Sequence, residues 1–315
     1  MKKFKIKYIT GRRKEAGSIL LVIIISMIVF AVLAVAMYTL TSTATLNQVI
    51  AQRAAKSFYV SESGVRIAAG EYKAAASTAK NSTLVNLQGS TKDGRSFTMP
   101  DNSTVQLKVY PYWLYANLAI ASGTSTITLY LPGVLPRKDD TDTAISFPTT
   151  GLLKVRDVRL TTITTWSGAT NVSYTVGTPP PTNDSTYDAT YGTPVTFSLG
   201  TAFTDAIVAG DEFYIGYLTT QDSSQTGNNV SLYVTDIDMA YFFPPQSGTI
   251  FVVKSSISYY KYDLRIIDST VTPIKVTLNN IQHLDGTLAT PNVLSGDQVY
   301  IGKSVGFRST STYSQ

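Results

Sequence analysis

The side chains that most often carry nucleophilic, redox and metal chemistry are almost missing from this sequence. Its 315 residues include no cysteine and one histidine, His283. This composition excludes disulfides, thiolate zinc sites and thiol nucleophiles. A Ser-His-Asp arrangement around His283 is formally open, but a lone histidine is more often a structural or surface residue. We therefore expect no enzyme and no cofactor.

Carboxylates are the remaining candidates for chemistry, and each has a simpler interpretation. The acidic run 139–142 could hold calcium, which prefers several carboxylates, but it lacks the glycine and bidentate acid of an EF-hand loop. We predict a solvated loop. Asp211 and Asp297 each follow a glycine, which is typical of a turn whose carboxylate accepts local backbone N–H bonds. Asp236 and Asp238 are predicted on the exposed face of a strand.

Aromatic residues offer a candidate binding surface. The chain has 20 tyrosines, and Tyr110, Tyr112, Trp113 and Tyr115 form the densest aromatic group. Exposed aromatic side chains often anchor interfaces, so we predict an exposed aromatic patch at these four residues. The alternative is that they fill β-strands, where tyrosine is common.

The positive charge of the chain is concentrated at its start. The net charge is +5, yet residues 1–17 carry seven basic residues and one acidic residue, which leaves 19 basic and 20 acidic residues in 18–315. The body has no basic groove with interleaved aromatics, so nucleic acid is not an expected partner. A basic segment before an apolar span is typically held in the cytoplasm.

An apolar run follows the basic leader. No charged residue occurs from Ile19 to Met37, and about 20 such residues cross the hydrocarbon layer of a membrane. Three interpretations are open. The run is a secretory signal peptide cut after the small residues 34–36, so that the chain starts at Met37; it is an uncleaved anchor; or it is the first half of a longer helix.

The residues after Tyr38 favour the longer helix. Apolar and small residues continue at steps of three or four, which places them on one helical stripe. The stripe comprises Leu46, Ile50, Ala54, Phe58, Ser61, Val65, Ala68, Tyr72 and Ala76. We predict one helix over 18–80, with 18–40 as its membrane and assembly half and 41–80 as its amphipathic half. The C-terminal part should pack on the chain's own domain.

Two segments of this region resemble a known family. The sequence Lys14-Glu15-Ala16-Gly17, followed by Ser18, is similar to the cleavage motif of a type IV pilin-like precursor. The segment 53–65, RAAKSFYVSESGV, is similar to the A-x-x-FY-x-x-ES-G pattern of the N-terminal region of PilX-type minor pilins and pseudopilins. The resemblance covers about residues 11–75.

The resemblance implies a life cycle for the chain. A prepilin peptidase would remove the leader 1–17 by cutting between Gly17 and Ser18, and would methylate the new amine of Ser18. Before assembly the subunit would be a single-pass protein of the inner or cytoplasmic membrane with its β domain outside the cytoplasm. It would then join other pilin or pseudopilin subunits through the helix, in a cell-surface filament or a periplasmic pseudopilus.

One departure from the family pattern concerns the fifth residue of the mature chain. Major pilins have a glutamate there that meets a neighbour's N-terminal amine, and this chain has Val22. The resemblance therefore implies a subunit at a filament tip or in an initiating complex. The alternative is that Val22 marks an ordinary membrane anchor.

Residues 81–315 are predicted as a β-rich extracytoplasmic domain, so the fold class is α+β with sandwich-like packing of the strands. Within it, 201–216 and 287–302 share seven identities, including the pattern Gly-Asp-x-x-Tyr-Ile-Gly, and Thr193-Pro194-Val195 is similar to Thr272-Pro273-Ile274. Either two related β modules were duplicated, or the same turn and strand occur twice.

Three functions follow, in order of preference. The first is a minor pilin-like structural subunit for assembly of a type IV pilus or type II secretion-like filament, with tip adhesion as an added role. The second is a membrane-anchored or secreted β-rich adhesin or carbohydrate-binding protein. The third, a glycosidase, requires two carboxylates paired across a cleft, which sequence cannot show.

Overall fold

The structure is a computed structural model that describes residues 13–99, 102–138, 143–156, 172–176, 184–204, 206–254 and 256–312. The chain divides into two units, residues 1–59 and 60–315, which are described separately. A long N-terminal apolar helix and a β-rich domain are both present, which confirms the α+β fold class. The acidic run 139–142 lies outside the described residues.

The described residues form three helices and two short 3-10 turns. Helix α1 is Arg13–Ala74, α2 is Lys80–Gln88 and α3 is Ile237–Phe242; the turns are Ser77–Ala79 and Asp184–Thr186. The predicted helix over 18–80 is wrong at its end. The chain turns extended at Ala76, whose ψ of 151° interrupts the helix before α2 begins.

Sixteen strands lie in the described part of the chain. They are β1 (Arg95–Thr98), β2 (Thr104–Pro111), β3 (Leu114–Tyr115), β4 (Thr126–Leu131), β5 (Thr150–Arg156), β6 (Val172–Val176), β7 (Thr193–Leu199), β8 (Glu212–Leu218), β9 (Ser224–Thr226), β10 (Asn229–Val234), β11 (Gln246–Val253), β12 (Ile257–Asp268), β13 (Ile274–Asn279), β14 (Gln282–His283), β15 (Gln298–Ile301) and β16 (Val305–Thr312).

The strands form two antiparallel sheets. The small sheet has the order β1-β2-β16. The large sheet has the order β3-β4-β7-β6-β5-β8-β15-β11-β12-β13-β10-β9, with β14 beside β12. Because β3 also pairs with β8, the first six strands close into a barrel. Strand pairing thus establishes a six-stranded barrel with further strands on it; the sandwich-like packing stays a prediction.

The large sheet contains the same unit twice. In the first repeat (114–216) the order is β4-β7-β6-β5-β8, and in the second repeat (217–302) it is β10-β13-β12-β11-β15. In the first repeat β5, β6 and β7 form a meander, and β8 returns to pair with β5. In the second repeat β11, β12 and β13 form the meander, and β15 returns to pair with β11. The two returning strands, β8 and β15, pair with each other and join the repeats.

The repeats also agree in register, residue by residue. Leu129 pairs with Val195 in the first repeat, as Leu232 pairs with Val276 in the second. One position further along β7 and β13, Thr196 and Thr277 approach hydroxyls of the neighbouring strands, with oxygen–oxygen distances of 3.1 and 3.0 Å. Agreement over this many pairs favours duplication of a β unit over a turn and strand that recur by chance.

A glycine–tyrosine pair recurs at the same place in the two repeats. Gly151 of β5 lies opposite Tyr174 of β6, and Gly248 of β11 lies opposite Tyr262 of β12. A Cβ added to either glycine would collide with the tyrosine ring, at 3.0 Å in the first repeat and 2.2 Å in the second. Both glycines are therefore required because the rings pass across the backbone.

The predicted similarity between Thr193-Pro194-Val195 and Thr272-Pro273-Ile274 is wrong in detail. The strand registers place Thr193 opposite Leu131 and Ile274 opposite Val234, so Thr193 corresponds to Ile274. The two Thr-Pro pairs are offset by two residues. Pro194 lies within β7, whereas Pro273 precedes β13 and follows a cis peptide bond.

Two buried clusters hold the β domain together. The larger cluster fills the interior of the sheets of both repeats. The smaller cluster lies on the opposite face of the central strands, where Tyr214 and Tyr300 meet Ala68 of α1 and Leu84 of α2. Alternation along β8 explains the division: Phe213 and Ile215 enter the larger cluster and Tyr214 the smaller one.

Candidate functional site

The residues predicted for processing lie near the start of α1. Gly17 and Ser18 are inside the helix, and Val22 is exposed on it. Residues 1–12 of the predicted leader are outside the described part of the chain. The structure therefore gives these residues a helical backbone, and cleavage after Gly17 and methylation of Ser18 stay predictions.

The apolar part of α1 leaves its side chains exposed. Nearly every large apolar residue from Ile19 to Leu40 exposes about half or more of its side chain, with Phe30 at 72% and Tyr38 at 76%. By length and composition this helix can cross a membrane. Such an exposed apolar surface is unusual for a soluble protein, and it is long enough to span the hydrocarbon layer of a membrane.

The last turns of α1 pack on the β domain, as predicted for the C-terminal part of the stripe. Ala68 is fully buried, and the Tyr72 ring lies edge-to-face on Phe307 with centroids 6.5 Å apart. Gly64 is also buried; an added Cβ would lie 2.8 Å from both Val105 and Ser309. Leu46, Ile50 and Phe58 of the same stripe are exposed.

The predicted exposed aromatic patch is wrong. Tyr110, Tyr112, Trp113 and Tyr115 expose 7%, 4%, 0% and 8% of their surface. They lie where the chain passes from the small sheet into the large one, between the two buried clusters. Trp113 donates its indole N–H to Asn81 of α2 at 3.1 Å. The four aromatic residues are therefore close together because they pack in the interior where the chain passes between the two sheets.

The other carboxylates and the histidine have local structural roles. Val208 N donates to Asp211 Oδ2 at 2.9 Å and Leu294 N donates to Asp297 Oδ2 at 2.7 Å, which places both in the predicted turns. The strand predicted around Asp236 and Asp238 is wrong, because Asp236 caps α3 and Asp238 lies in its first turn. His283 is exposed and lies against the Tyr260 ring.

A serine motif escaped the sequence analysis. Gly302-Lys303-Ser304-Val305-Gly306 has the Gly-x-Ser-x-Gly pattern of a nucleophile elbow. That elbow requires a sharp turn from a strand into a helix. Here the segment joins β15 to β16, two strands, and the Ser304 carbonyl accepts a bond from Tyr112 N at 3.0 Å. The motif therefore lacks the backbone that gives it its chemistry.

An aromatic cleft in the β domain is a further site that sequence analysis missed. Its volume is about 380 Å³. It opens between the end of α1, the start of α2 and the strands β8, β11 and β12. Among the described residues, the aromatic ones that line it are Tyr72, Tyr214, Phe251, Tyr259 and Tyr260, of which Tyr260 directs its ring to the larger cluster. They come from distant parts of the sequence, so no local pattern indicated them.

Charged groups lie among these rings. Glu212 is 3% exposed, forms an ion pair with Lys303 and accepts a hydrogen bond from the Tyr214 hydroxyl at 2.8 Å. Lys303 also lies 4.8 Å above the Trp113 ring, and Lys80 lies 5.0 Å above the Tyr72 ring. Burial, and then the Glu212 carboxylate, raise the pKa of Tyr72, so its hydroxyl stays protonated as a donor.

Metal binding finds no support in the described residues, which contain no cluster of three or more His, Cys, Asp or Glu side chains. Comparisons of the chain with protein-family models, with curated proteins and with solved structures return no match. Its function must therefore be inferred from its own residues and geometry.

Proposed function

We propose that this chain is a minor pilin-like structural subunit that initiates or ends a type IV pilus or a type II secretion-like filament. The observation that carries the proposal is the contrast along α1. Its apolar half is exposed, while Ala68 and Tyr72 at its other end pack on the β domain. A helix of this kind can exchange lipid for neighbouring helices, since both surroundings are apolar.

The motifs at residues 14–18 and 53–65 support a pilin over a simple anchor. In this proposal a prepilin peptidase cuts after Gly17, Ser18 becomes the methylated N-terminus and the membrane holds the helix until assembly. Val22 then leaves a neighbour's N-terminal amine without a carboxylate partner, which disfavours a place in the repeating body.

The test is the N-terminus and intact mass of the protein isolated from its native membranes. A chain that starts at methylated Ser18 supports the proposal. A start at Met37 indicates ordinary signal cleavage, and an uncut chain indicates an anchored surface protein; either result contradicts it.

Substitution of Gly17 sharpens this test. We expect Gly17→Lys to block processing while the protein still inserts in the membrane. Gly70→Lys is the matched control, because Gly70 is exposed and a Cβ added there meets nothing within 4 Å. Normal processing of Gly17→Lys would refute the proposed cleavage site.

A second substitution tests the place in the filament. Val22→Glu supplies the carboxylate of major pilins at an exposed helix position. We expect this variant to mature normally and to enter filaments in larger number. Unchanged incorporation would mean that another feature restricts the position of the native subunit.

A further inference from the structure

The two repeats provide an internal control for the cleft. Glu212 of the first repeat corresponds to Gln298 of the second, and Tyr214 corresponds to Tyr300. The tyrosine hydroxyl donates to the side chain two residues earlier in both repeats, to Glu212 at 2.8 Å and to Gln298 at 3.3 Å. The fold is therefore compatible with a neutral amide at this position.

Gln298 occupies the equivalent position in the second repeat, so the buried ion pair of Glu212 needs an explanation. Removing a carboxylate and an ammonium from water costs several kcal/mol for each ion, and their attraction often fails to offset this cost. Glu212 and Lys303 keep this pair beside an open cleft, at 4% and 22% side-chain exposure. Charged groups retained at a concave site are typical of ligand recognition.

The cleft walls suit a flat ring. Tyr72 and Tyr259 are half-buried, so part of each ring remains accessible, and Phe251 closes the inner side. The volume of about 380 Å³ lies at the small end of the range for ligand pockets, about 300–1,000 Å³. One or two linked rings fill a space of this size.

The floor of the cleft determines the polarity of the ligand. Glu212 accepts hydrogen bonds, Lys303 donates them, and their charges neutralise each other. A purely apolar ring would desolvate this charged pair without offering it a hydrogen bond, which is costly. A net charge on the ligand would gain little from a balanced pair. Hydroxyl groups, which donate and accept, complement both side chains.

We propose that this cleft binds a neutral pyranose sugar. An apolar face of the pyranose lies against Tyr259, beside Tyr72, and its hydroxyl edge reaches Glu212 and Lys303. This site is independent of the proposed assembly role, because the residues that line it lie in the unit 60–315 and none is needed for processing of the N-terminus.

The direct test uses the full-length protein in detergent micelles. Saturation-transfer NMR would measure binding of glucose, galactose, N-acetylglucosamine and their β-linked disaccharides. N-acetylphenylalanine amide serves as the apolar-ring probe. We expect at least one sugar to bind with transfer to its ring C–H protons. Binding of the phenylalanine probe in preference to every sugar, or no binding at all, would overturn the proposal.

The matched variants are Glu212→Gln and Glu62→Gln. Glu212→Gln keeps an acceptor for the Tyr214 hydroxyl, as Gln298 does for Tyr300, and Lys303 is 22% exposed and can turn to water. The variant should therefore fold, yet weaken sugar binding at least tenfold. Glu62 forms an exposed ion pair with Arg66 and does not line the cleft, so its substitution should leave the affinity unchanged. Retained affinity in Glu212→Gln would refute the role of the carboxylate and with it the proposal.

Two further measurements guard against misfolding. Tyr259→Ala should abolish binding, and Tyr191→Ala, which removes an exposed tyrosine elsewhere in the domain, should not. In a Trp166→Phe background Trp113 is the only tryptophan. Its fluorescence reports on Lys303 directly above it, so sugar binding should shift its emission; a signal that stays constant while sugar binds would place the ligand elsewhere.

Discussion

The first and second repeats of the large sheet share strand order and register but secure their connections differently. In the first repeat the long connections 132–149 and 177–192 are tied by a buried ion pair between Arg137 and Asp184. In the second repeat a buried arginine, Arg265, instead donates to the carbonyls of Tyr241 and Phe243 at the end of α3.

Arg137 and Arg265 show two ways of stabilising a buried guanidinium group. A carboxylate neutralises Arg137, and Leu135 N donates to the second oxygen of Asp184 at 3.1 Å. Arg265 faces the C-terminus of a helix, where carbonyl dipoles point outward and attract a cation. The first solution depends on one residue, whereas the second depends on backbone atoms that no substitution removes.

The largest expected effect comes from Asp184. Asp184→Asn leaves Arg137 buried without its counter-charge, so we expect the free energy of unfolding to fall by about 3–5 kcal/mol. Urea unfolding followed by near-UV circular dichroism measures it. Asp263→Asn, the same change at an exposed site of the second repeat, should cost at most about 0.5 kcal/mol. Equal losses in the two variants would remove the contrast between the repeats.

A smaller effect separates the two tyrosines that cross the glycines. The Tyr262 hydroxyl donates to Pro244 O at 2.8 Å, while the Tyr174 hydroxyl has no hydrogen-bond partner among the described residues. Tyr262→Phe should therefore cost about 1–1.5 kcal/mol, and Tyr174→Phe should be neutral or slightly stabilising. A loss above about 1 kcal/mol in Tyr174→Phe would mean that its hydroxyl is satisfied.

The smallest effect concerns α3, the helix that Arg265 holds. Burial, and then the Asp236 carboxylate, raise the pKa of Asp238 to about 6 against the opposing effect of Lys138. Because the folded state holds this proton more tightly than the unfolded state, stability falls as pH rises from about 4 to about 6.

Asp238→Asn removes that dependence. The shift of about two pH units corresponds to about 3 kcal/mol, which solvent screening at this half-exposed position reduces to about 1 kcal/mol at pH 7. Thermal unfolding from pH 4 to 7 should show a stabilised variant with a flatter profile. An unchanged profile would assign the pH dependence to other groups.

Local sequence patterns predicted the helix and its stripe, because a helical period of three to four residues can be recognised within one short segment. They also exposed the Gly-Asp-x-x-Tyr-Ile-Gly echo, which marks β8 and β15. They missed the relation between β4 and β10, although both contain a Leu-Tyr pair, Leu129-Tyr130 and Leu232-Tyr233. The connections differ in length between the repeats, so the offset changes from strand to strand and hides the match.

The functional residues were harder to predict than the fold. The prediction that Tyr110 and Trp113 are exposed was wrong. A dense aromatic run is as suitable for a buried segment between two sheets as for a binding surface. The cleft unites residues from 72 to 303, and its key feature, the Glu212–Lys303 pair, joins positions that are unremarkable in isolation. Only the folded chain brings them together.

The small sheet has a consequence for the order of events during synthesis. Its central strand β2 comes soon after α2 in the sequence. Its partner β16 is formed by the last described residues. Gly64 of α1 lies against Ser309 of β16. Because the chain is synthesised from its N-terminus, β2 has no β16 to pair with until these last described residues have been made. Folding of the small sheet is thereby coupled to the end of β16 synthesis, and a chain truncated before β16 would leave β2 without this partner.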